Sequence, residues 1–318
     1  MLELLARERP RIRTRFRAAI ARVRDTWTLA RLEAALESGT IAKVLDDVEA
    51  AGKELADTAA DAHHAVAREA ASFLSREVDK LVSYDMGNER AVQAVRRNRA
   101  RLVGGLVDDH RTILVDVIAD GTARGANPRE MARGIRDSLG LSPPLARAVR
   151  SYAARLRDGD QAALGMKLRD ARRDGTVETA IDQGKPLTDE QIDSMTARYA
   201  ERAVAYRAEV IARTESLRAV HEGIVEAFDQ AVESGQVEAD RIVQKWHAGK
   251  EPRTRAWHAP MDGQERAWGE PFTSGHGVSL RYPGDPSAPA DETIQCRCAV
   301  SRRIVRATSA APATTATG

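Results

Sequence analysis

The residues best suited to chemistry lie in the last quarter of this 318-residue chain, which holds its only two cysteines, Cys296 and Cys298. Residues i and i+2 of a strand point to the same side, so both thiols can reach one ion. A structural zinc ion takes four ligands, chiefly sulfur and nitrogen. The sequence offers the other two from among His258, His276, His247 and Asp262, of which we expect His258 and His276.

A second interpretation of the two cysteines needs no metal. Free cysteine is among the most buried residue types and often serves as a small core residue. The spacing also differs from the C-x-x-C pairs of many zinc sites, and two cysteines one residue apart do not form a disulfide framework. Both interpretations stay open on the sequence alone, with zinc as the one cofactor to be expected.

His258 and Asp262 allow an acid–base pair, which hydrolytic chemistry would use. The interpretation we favour makes Asp262-Gly263 a tight turn, with Gln264 onward returning as the second strand of a hairpin and His258 hydrogen-bonded within the turn. The sequence has no nucleophile elbow, phosphate-binding glycine loop or H-E-x-x-H motif. We therefore predict no catalytic residue and no enzyme.

Arg213-Thr214-Glu215 falls in the middle of a predicted helix, with Arg218 or Arg297 as a partner for Glu215. Buried polar groups at a junction between a helix and a sheet need partners. We therefore expect a buried Arg–Glu pair that docks this helix onto the C-terminal segments. The alternative is a catalytic glutamate.

The elements that must position these residues fall into two classes. Apolar residues keep helical spacing through most of the chain up to Val232, and short extended segments among Gly and Pro follow. The sequence predicts an α+β protein, mainly α, with long N-terminal and central helices and a small C-terminal β-rich module. The predicted regions are an extended helical region (1–124), a second helical region (125–235), a β-rich module with the two cysteines (236–306) and a disordered tail (307–318).

Several helix boundaries can be predicted from local signals. The first apolar stripe predicts a helix that continues to about Leu36, and Gly104-Gly105 predicts a kink or a close helix crossing in a later helix. Helix starts are predicted from a capping side chain before proline, or from a capping box. These signals occur at Asn127-Pro128, Ser142-Pro143 and Thr188 to Gln191.

The net charge of +2 argues against strong binding of nucleic acid by the whole chain. Arginine is concentrated between Arg7 and Arg24, where we favour a solvated helix face over a contact with phosphates or an acidic partner. No apolar run reaches the roughly 18 residues of a membrane span, and the N-terminus does not have the pattern of a signal peptide. We expect synthesis and folding in a cytoplasm, without a membrane partner.

An ordered set of motifs spans the chain from about residue 125 to residue 302. It comprises Asn127-Pro-Arg-Glu-Met-Ala132, Leu139-Gly-Leu-Ser-Pro143 with Tyr152, Ile211-Ala-Arg-Thr-Glu215, Lys245-Trp246, Arg253-Thr-Arg-Ala-Trp-His258 with Asp262-Gly263-Gln264, Tyr282-Pro-Gly-Asp-Pro286, and Cys296-Arg-Cys298. Together these motifs resemble the phage head-morphogenesis family, the Mu F-like minor head proteins. The departures are mild: Met261 replaces a common aliphatic residue, and Gln295 stands where Asn often precedes the first cysteine.

The resemblance implies a structural protein of the virion, present in few copies at the portal vertex or inside the head, and made in a bacterial host. It would assist procapsid assembly and DNA packaging or ejection. The implied partners are the portal protein, the major capsid or scaffold protein, and packaged DNA through the Arg-rich first helix. Region 125–235 would be the helical part of the family's domain. The structural motif residues would be Arg213 and Glu215 in that region, and Trp246, Arg255, Asp262 and Gly263 in the β-rich module.

A second functional class competes with this one. Related modules resemble parts of phage-borne toxins, so the C-terminal His/Asp/Cys cluster would instead be a metal-assisted hydrolase or a toxin-like domain. That class requires His258, Asp262, Glu215 and the cysteines to converge on one hydrolytic site.

Overall fold

A computed structural model of the chain describes residues 2–305, so the tail predicted at 307–318 lies outside the described residues. The helices are α1 (Leu2–Thr26), α2 (Leu29–Glu37), α3 (Val44–Val78), α4 (Glu89–Ala123), α5 (Pro128–Ser138), α6 (Pro143–Asp158), α7 (Asp174–Asp182), α8 (Asp189–Glu233) and α9 (Ala290–Thr293). The strands are β1 (Ile242–His247), β2 (Glu265–Ala267), β3 (Phe272–Thr273), β4 (Ser279–Leu280) and β5 (Ala299–Ile304). The predicted class, α+β and mainly α, is confirmed.

The described chain forms two compact units, each assembled from separate stretches of sequence. The helical unit contains Ala6–Asp61 and Gln93–Arg213, and the β unit contains the residues up to Leu5, Ala62–Val92 and the residues from Thr214 onward. Among the described helices, none has both the length and the apolar character needed to cross a bilayer. The four region boundaries drawn from the sequence stay a prediction.

The predicted apolar stripe of α1 is part of the core of the helical unit. Ile12, Phe16, Ile20 and Val23 are all buried. The helix does not continue to Leu36, however, because α1 ends at Thr26 and α2 begins after Thr28. The Thr28 hydroxyl accepts a hydrogen bond from the backbone N–H of Arg31 and caps the new helix.

The predicted caps of α5 and α8 are confirmed. The Asn127 side chain accepts a hydrogen bond of 2.9 Å from the Glu130 N–H. Thr188 and Gln191 form the reciprocal capping box, with N–H···O distances of 2.9 and 3.3 Å. Helix α6 begins at Pro143 as predicted, but the Ser142 side chain makes no capping hydrogen bond.

A close helix crossing is present beside Gly104-Gly105, but neither of these glycines makes the closest approach. A Cβ atom added at either glycine would meet no atom within 4 Å. The tight approach is at Gly52 on α3, where a Cβ would lie 3.3 Å from the Val103 Cα atom of α4. The glycine that this helix pair requires is therefore on the partner helix.

The β unit contains two small antiparallel sheets, one ordered β2-β1-β5 and the other formed by β3 and β4. The hairpin return predicted after Asp262-Gly263 is confirmed, because β1 pairs with β2 and the Gly263 N–H donates to the Trp246 carbonyl at 2.9 Å. Gly263 has a φ of 81°, which glycine adopts without strain. Trp246, Phe272 and Leu280 form the buried core with neighbouring apolar residues.

A buried histidine helps to hold α4 against the loop after α5 within the helical unit. His110 Nδ1 lies 2.7 Å from the Leu106 carbonyl oxygen, and Nε2 accepts the Gly140 N–H at 2.9 Å. These two contacts together require a neutral ring with its proton on Nδ1. Burial, followed by the nearby Arg207 guanidinium, lowers the pKa of His110 to about 4.

The depressed pKa of His110 predicts acid sensitivity of the helical unit. Between pH 6.5 and pH 4 the unfolded chain takes up a proton on this histidine and the folded chain does not, so stability falls as the pH falls. His110→Gln should reduce the loss of unfolding free energy between pH 7 and pH 5 by about 2 kcal/mol. Urea denaturation at both pH values measures it. His247→Gln, an exposed control, should behave as the wild type, and equal losses in all three proteins would contradict the prediction.

Candidate functional site

The candidate site lies in the core of the β unit, where two loops meet. His258 ends the loop after β1 and precedes the short 3-10 turn Ala259–Met261. Cys296 and Cys298 lie between α9 and β5, since β5 begins only at Ala299 and not at the cysteines themselves. All three side chains are buried, and both cysteines belong to the apolar core around Trp246.

The His258 ring faces both thiols with the same nitrogen. Its Nδ1 atom lies 3.6 Å from the Cys296 sulfur and 3.6 Å from the Cys298 sulfur. The three atoms lie within 4.8 Å of one another, and they form the one group of potential metal ligands among the described residues. The prediction that both thiols can reach one point in space is therefore met by the geometry.

The opposite edge of the His258 ring is held by a carboxylate. His258 Nε2 lies 2.6 Å from an oxygen of Glu292, which is as buried as the histidine. The other Glu292 oxygen accepts a hydrogen bond of 3.1 Å from the Ser274 hydroxyl. Glu292 thus fixes the ring orientation that turns Nδ1 toward the sulfurs.

Glu292 was not identified from the sequence. It lies on α9, 34 residues after His258, and no spacing rule connects the two positions. An acidic residue shortly before a cysteine pair is a weak signal, since most acidic residues are solvated. The informative observation is its burial, which only the folded chain reveals.

The two thiols are electrostatically coupled. A hydrogen bond between them lowers the pKa of Cys298 and raises that of Cys296. His258 and the backbone N–H of Gly249 lower the pKa of Cys298 further. Burial opposes charge on His258, but the hydrogen bonds that the ring donates to Cys298 and Glu292, together with the negative charge of those groups, outweigh it and raise the pKa of the imidazole.

The backbone at Gly249 approaches the cysteine segment closely. A Cβ at this position would lie 3.1 Å from the Arg297 Cβ and 3.2 Å from its carbonyl oxygen. These distances are shorter than nine in ten real Cβ contacts. Glycine at this position therefore lets the loop after β1 reach the Cys298 sulfur with its N–H group.

The other predicted metal ligands are engaged elsewhere. The half-exposed His276 ring stacks on Trp257 at a centroid distance of 4.2 Å, and its Nδ1 atom lies 3.7 Å from Glu292. His247 Nε2 lies 2.7 Å from the Ser301 hydroxyl. Asp262 accepts the Ala248 N–H at 2.9 Å and fixes the hairpin turn. Asp262 forms no acid–base pair with His258. The His258 carbonyl accepts the Met261 N–H at 3.1 Å, but its imidazole bonds outside the turn, to Glu292.

The predicted buried Arg–Glu pair is present on α8. Glu215 accepts hydrogen bonds of 2.9 and 3.0 Å from Arg218, and Arg297 pairs with Glu251 instead. Arg218 Nε also donates to the Gly284 carbonyl at 3.1 Å, in the loop after β4. One guanidinium therefore joins the α8 carboxylate to the C-terminal segments of the β unit.

The remaining structural motif residues have different surroundings. Trp246 is fully buried, with its ring 5.2 Å from that of Phe272 and in edge contact with His258 at 6.0 Å. Arg255 donates to the Ile294 carbonyl at 2.5 Å. Arg213 lies at the end of the helical unit, 3.8 Å from Glu209. Trp246 and Arg255 therefore support the site directly, and Arg213 belongs to the other unit.

Comparison with known proteins identifies the family. A model of the family described as Phage Mu protein F like protein matches residues 112–301, more than half of the chain. The chain belongs to this family. The match includes His258, Glu292 and both cysteines. No curated protein and no solved structure matches the chain.

Family membership confirms the resemblance found in the sequence motifs. The Mu F-like proteins are a structural family of phage head morphogenesis, so at this coarse level the protein is a phage head protein and a component of the virion. The β unit contains two polar clusters. The imidazole–thiol group consists of His258, Cys296 and Cys298, and the Arg218 junction consists of Arg218, Glu215 and the Gly284 carbonyl.

The Arg218 junction predicts a large loss of stability on truncation. Arg218→Ala leaves the buried Glu215 carboxylate without this cation, so the free energy of unfolding should fall by about 3–5 kcal/mol. Urea denaturation of the full chain measures the change. Arg303→Ala, which removes an exposed ion pair of the same unit, should cost less than about 1 kcal/mol. Equal effects of the two substitutions would contradict a docking role for Arg218.

Proposed function

We propose that this protein is a minor head protein, present in few copies at the portal vertex or in the head interior. In this role it assists procapsid assembly and the packaging or ejection of DNA, with the portal protein as its main partner and the major capsid or scaffold protein as further partners. The observation that carries the proposal is the family match over 112–301, which includes the whole candidate site.

The bonding of the carboxylates supports a structural role rather than a hydrolytic one. Glu292 is bonded to His258 and Ser274, Asp262 to a backbone N–H, and Glu215 to Arg218. A general base has to reach substrate or water with a free lone pair. Each of these acids is already engaged by groups of the β unit itself, and Glu215 is engaged by Arg218, which also bonds the Gly284 carbonyl. This favours a scaffold over a metal-assisted hydrolase.

The portal proposal predicts selective co-purification. The chain, co-expressed with a tagged portal protein of the same phage, should be retained on the tag at low salt, and tagged major capsid protein should retain less of it. In purified virions, quantitative mass spectrometry should give a copy number far below that of the major capsid protein. Absence from the portal fraction, or a copy number close to that of the capsid protein, would contradict the proposal.

Contact with packaged DNA through the first helix is a second part of the proposal. Several arginines of α1 already have carboxylate partners within the helical unit: Arg13 lies 3.4 Å from Glu209, and Arg22 pairs with Glu54. These exposed pairs are weak, so phosphates can compete for the guanidinium groups. The pairs also lower the positive potential of the helix, so binding should be modest and sensitive to salt.

Charge removal on α1 tests the DNA contact. Affinity for duplex DNA should fall linearly on a log–log plot against salt concentration, and Arg13→Gln with Arg17→Gln should reduce the slope by about 2. Arg96→Gln with Arg97→Gln removes the same charge from exposed positions of α4 and should leave the slope nearly unchanged. Fluorescence anisotropy measures both variants. Identical slopes in the two double variants would exclude α1 as the contact.

A further inference from the structure

The distances around His258 match those of a tetrahedral metal centre. With zinc–sulfur and zinc–nitrogen bonds of about 2.3 and 2.05 Å, tetrahedral geometry places each sulfur about 3.6 Å from the nitrogen. Both Nδ1···Sγ distances around His258 are 3.6 Å. Two cysteines and one histidine thus have the spacing that they would have around a single zinc ion.

Hydrogen bonding alone accounts poorly for this arrangement. Nδ1 of His258 has either one lone pair or one proton, yet both Cys296 and Cys298 approach it at the same distance. With the Nε2 proton donated to Glu292, the lone pair of Nδ1 points toward two sulfurs that compete for it. A cation among the three atoms would satisfy the lone pair and the thiolate charges together.

The surroundings are those that tune metal ligands in proteins. A histidine that binds a metal usually donates its other ring N–H to a carboxylate, which fixes the tautomer, and Glu292 occupies that position. On the thiolate side, the Gly249 backbone lies close to the residue between the two cysteines, since a Cβ there would lie 3.1 Å from the Arg297 Cβ. The histidine therefore has the carboxylate partner typical of a metal ligand, and a backbone segment packs against the cysteine pair.

We propose that His258 Nδ1, Cys296 and Cys298 bind one zinc ion, with Glu292 as the positioning residue of the histidine. These three residues are the complete ligand group among the described residues. Sulfur and imidazole nitrogen are the ligand types that favour zinc over magnesium or calcium. His276 is not a ligand in this assignment, because its ring is stacked on Trp257. The ion would tie the loop after β1 to the segment before β5, a structural role that does not depend on the head function.

Metal analysis of the full-length protein tests the proposal directly. Protein purified under reducing conditions without chelator should contain one zinc per chain by elemental analysis. Replacing the zinc with cobalt(II) should give visible d–d bands of tetrahedral intensity and a near-ultraviolet thiolate charge-transfer band. Since the chain has only two cysteines, that charge-transfer band can arise only from this site.

Matched variants separate the ligands from their neighbours. His258→Ala and Cys298→Ser should lose stoichiometric zinc, and Glu292→Ala should weaken zinc binding by about 10–100-fold. His276→Ala is the matched control and should bind zinc as the wild type does. Loss of zinc in His276→Ala would overturn the three-ligand assignment.

A test on the wild type avoids variants that fail to fold. Both thiols should react slowly with a thiol reagent and become reactive when a chelator is added, and added zinc should restore the protection and raise the thermal midpoint. Purified protein without zinc, whose thiols react at one rate with and without chelator, would overturn the proposal. In that case the site is an imidazole–thiol hydrogen-bonded group.

Discussion

The β unit depends on one constraint, the cost of burying polar groups in a small core. Its strands have only two to six residues, so backbone pairing alone joins few segments. The buried His258 ring is held by Glu292 on one side and the two cysteines on the other, and it joins the loop after β1 to α9 and to the cysteine segment. A polar group in such a place costs several kcal/mol without partners, so these contacts strongly favour one arrangement of the loops over others.

The same constraint governs how the part of α8 from Thr214 onward contacts the C-terminal segments of the β unit. Arg218 is buried with Glu215 and also bonded to the Gly284 carbonyl. Nearby, the Tyr282 hydroxyl donates to the buried Glu222 at 3.1 Å. A buried ion pair can add little net stability compared with apolar residues of similar volume, while the loss of one partner is costly. These bonds fix the position of α8 along its own axis relative to the C-terminal segments. Apolar contacts alone would constrain that position less.

The sequence predicted the features that depend on neighbouring residues. The caps at Asn127 and Thr188, the turn at Gly263 and the Glu215 pair all arise from short-range geometry. The end of α1 was wrong because the apolar stripe continues through Trp27, and the Thr28 cap interrupts a pattern that looks continuous. Periodicity records which face is buried and is insensitive to a short break between helices.

The long-range features could not be predicted from local patterns. Glu292 bonds His258 although 34 positions separate them in the sequence. The close contact between α3 and α4 depends on Gly52 of α3, and not on Gly104-Gly105 of α4. His276 has the same side chain as His258, and its exposure and its stacking on Trp257 distinguish it from the buried His258. Residue type limits which side chains can be site residues. The path of the folded chain determines which of those side chains come into contact.

The interleaving of the two units has a consequence for synthesis on the ribosome. All stretches of the helical unit have been translated once Arg213 is reached, whereas β1 still lacks its partner β5 until the end of the described chain. The segment Ala62–Val92 is synthesised long before most of the residues that it packs against. Its apolar face is therefore exposed to water, or bound by a chaperone, until those residues are made. Premature termination before β5 would therefore leave a complete helical unit attached to an incomplete β unit with exposed apolar surface.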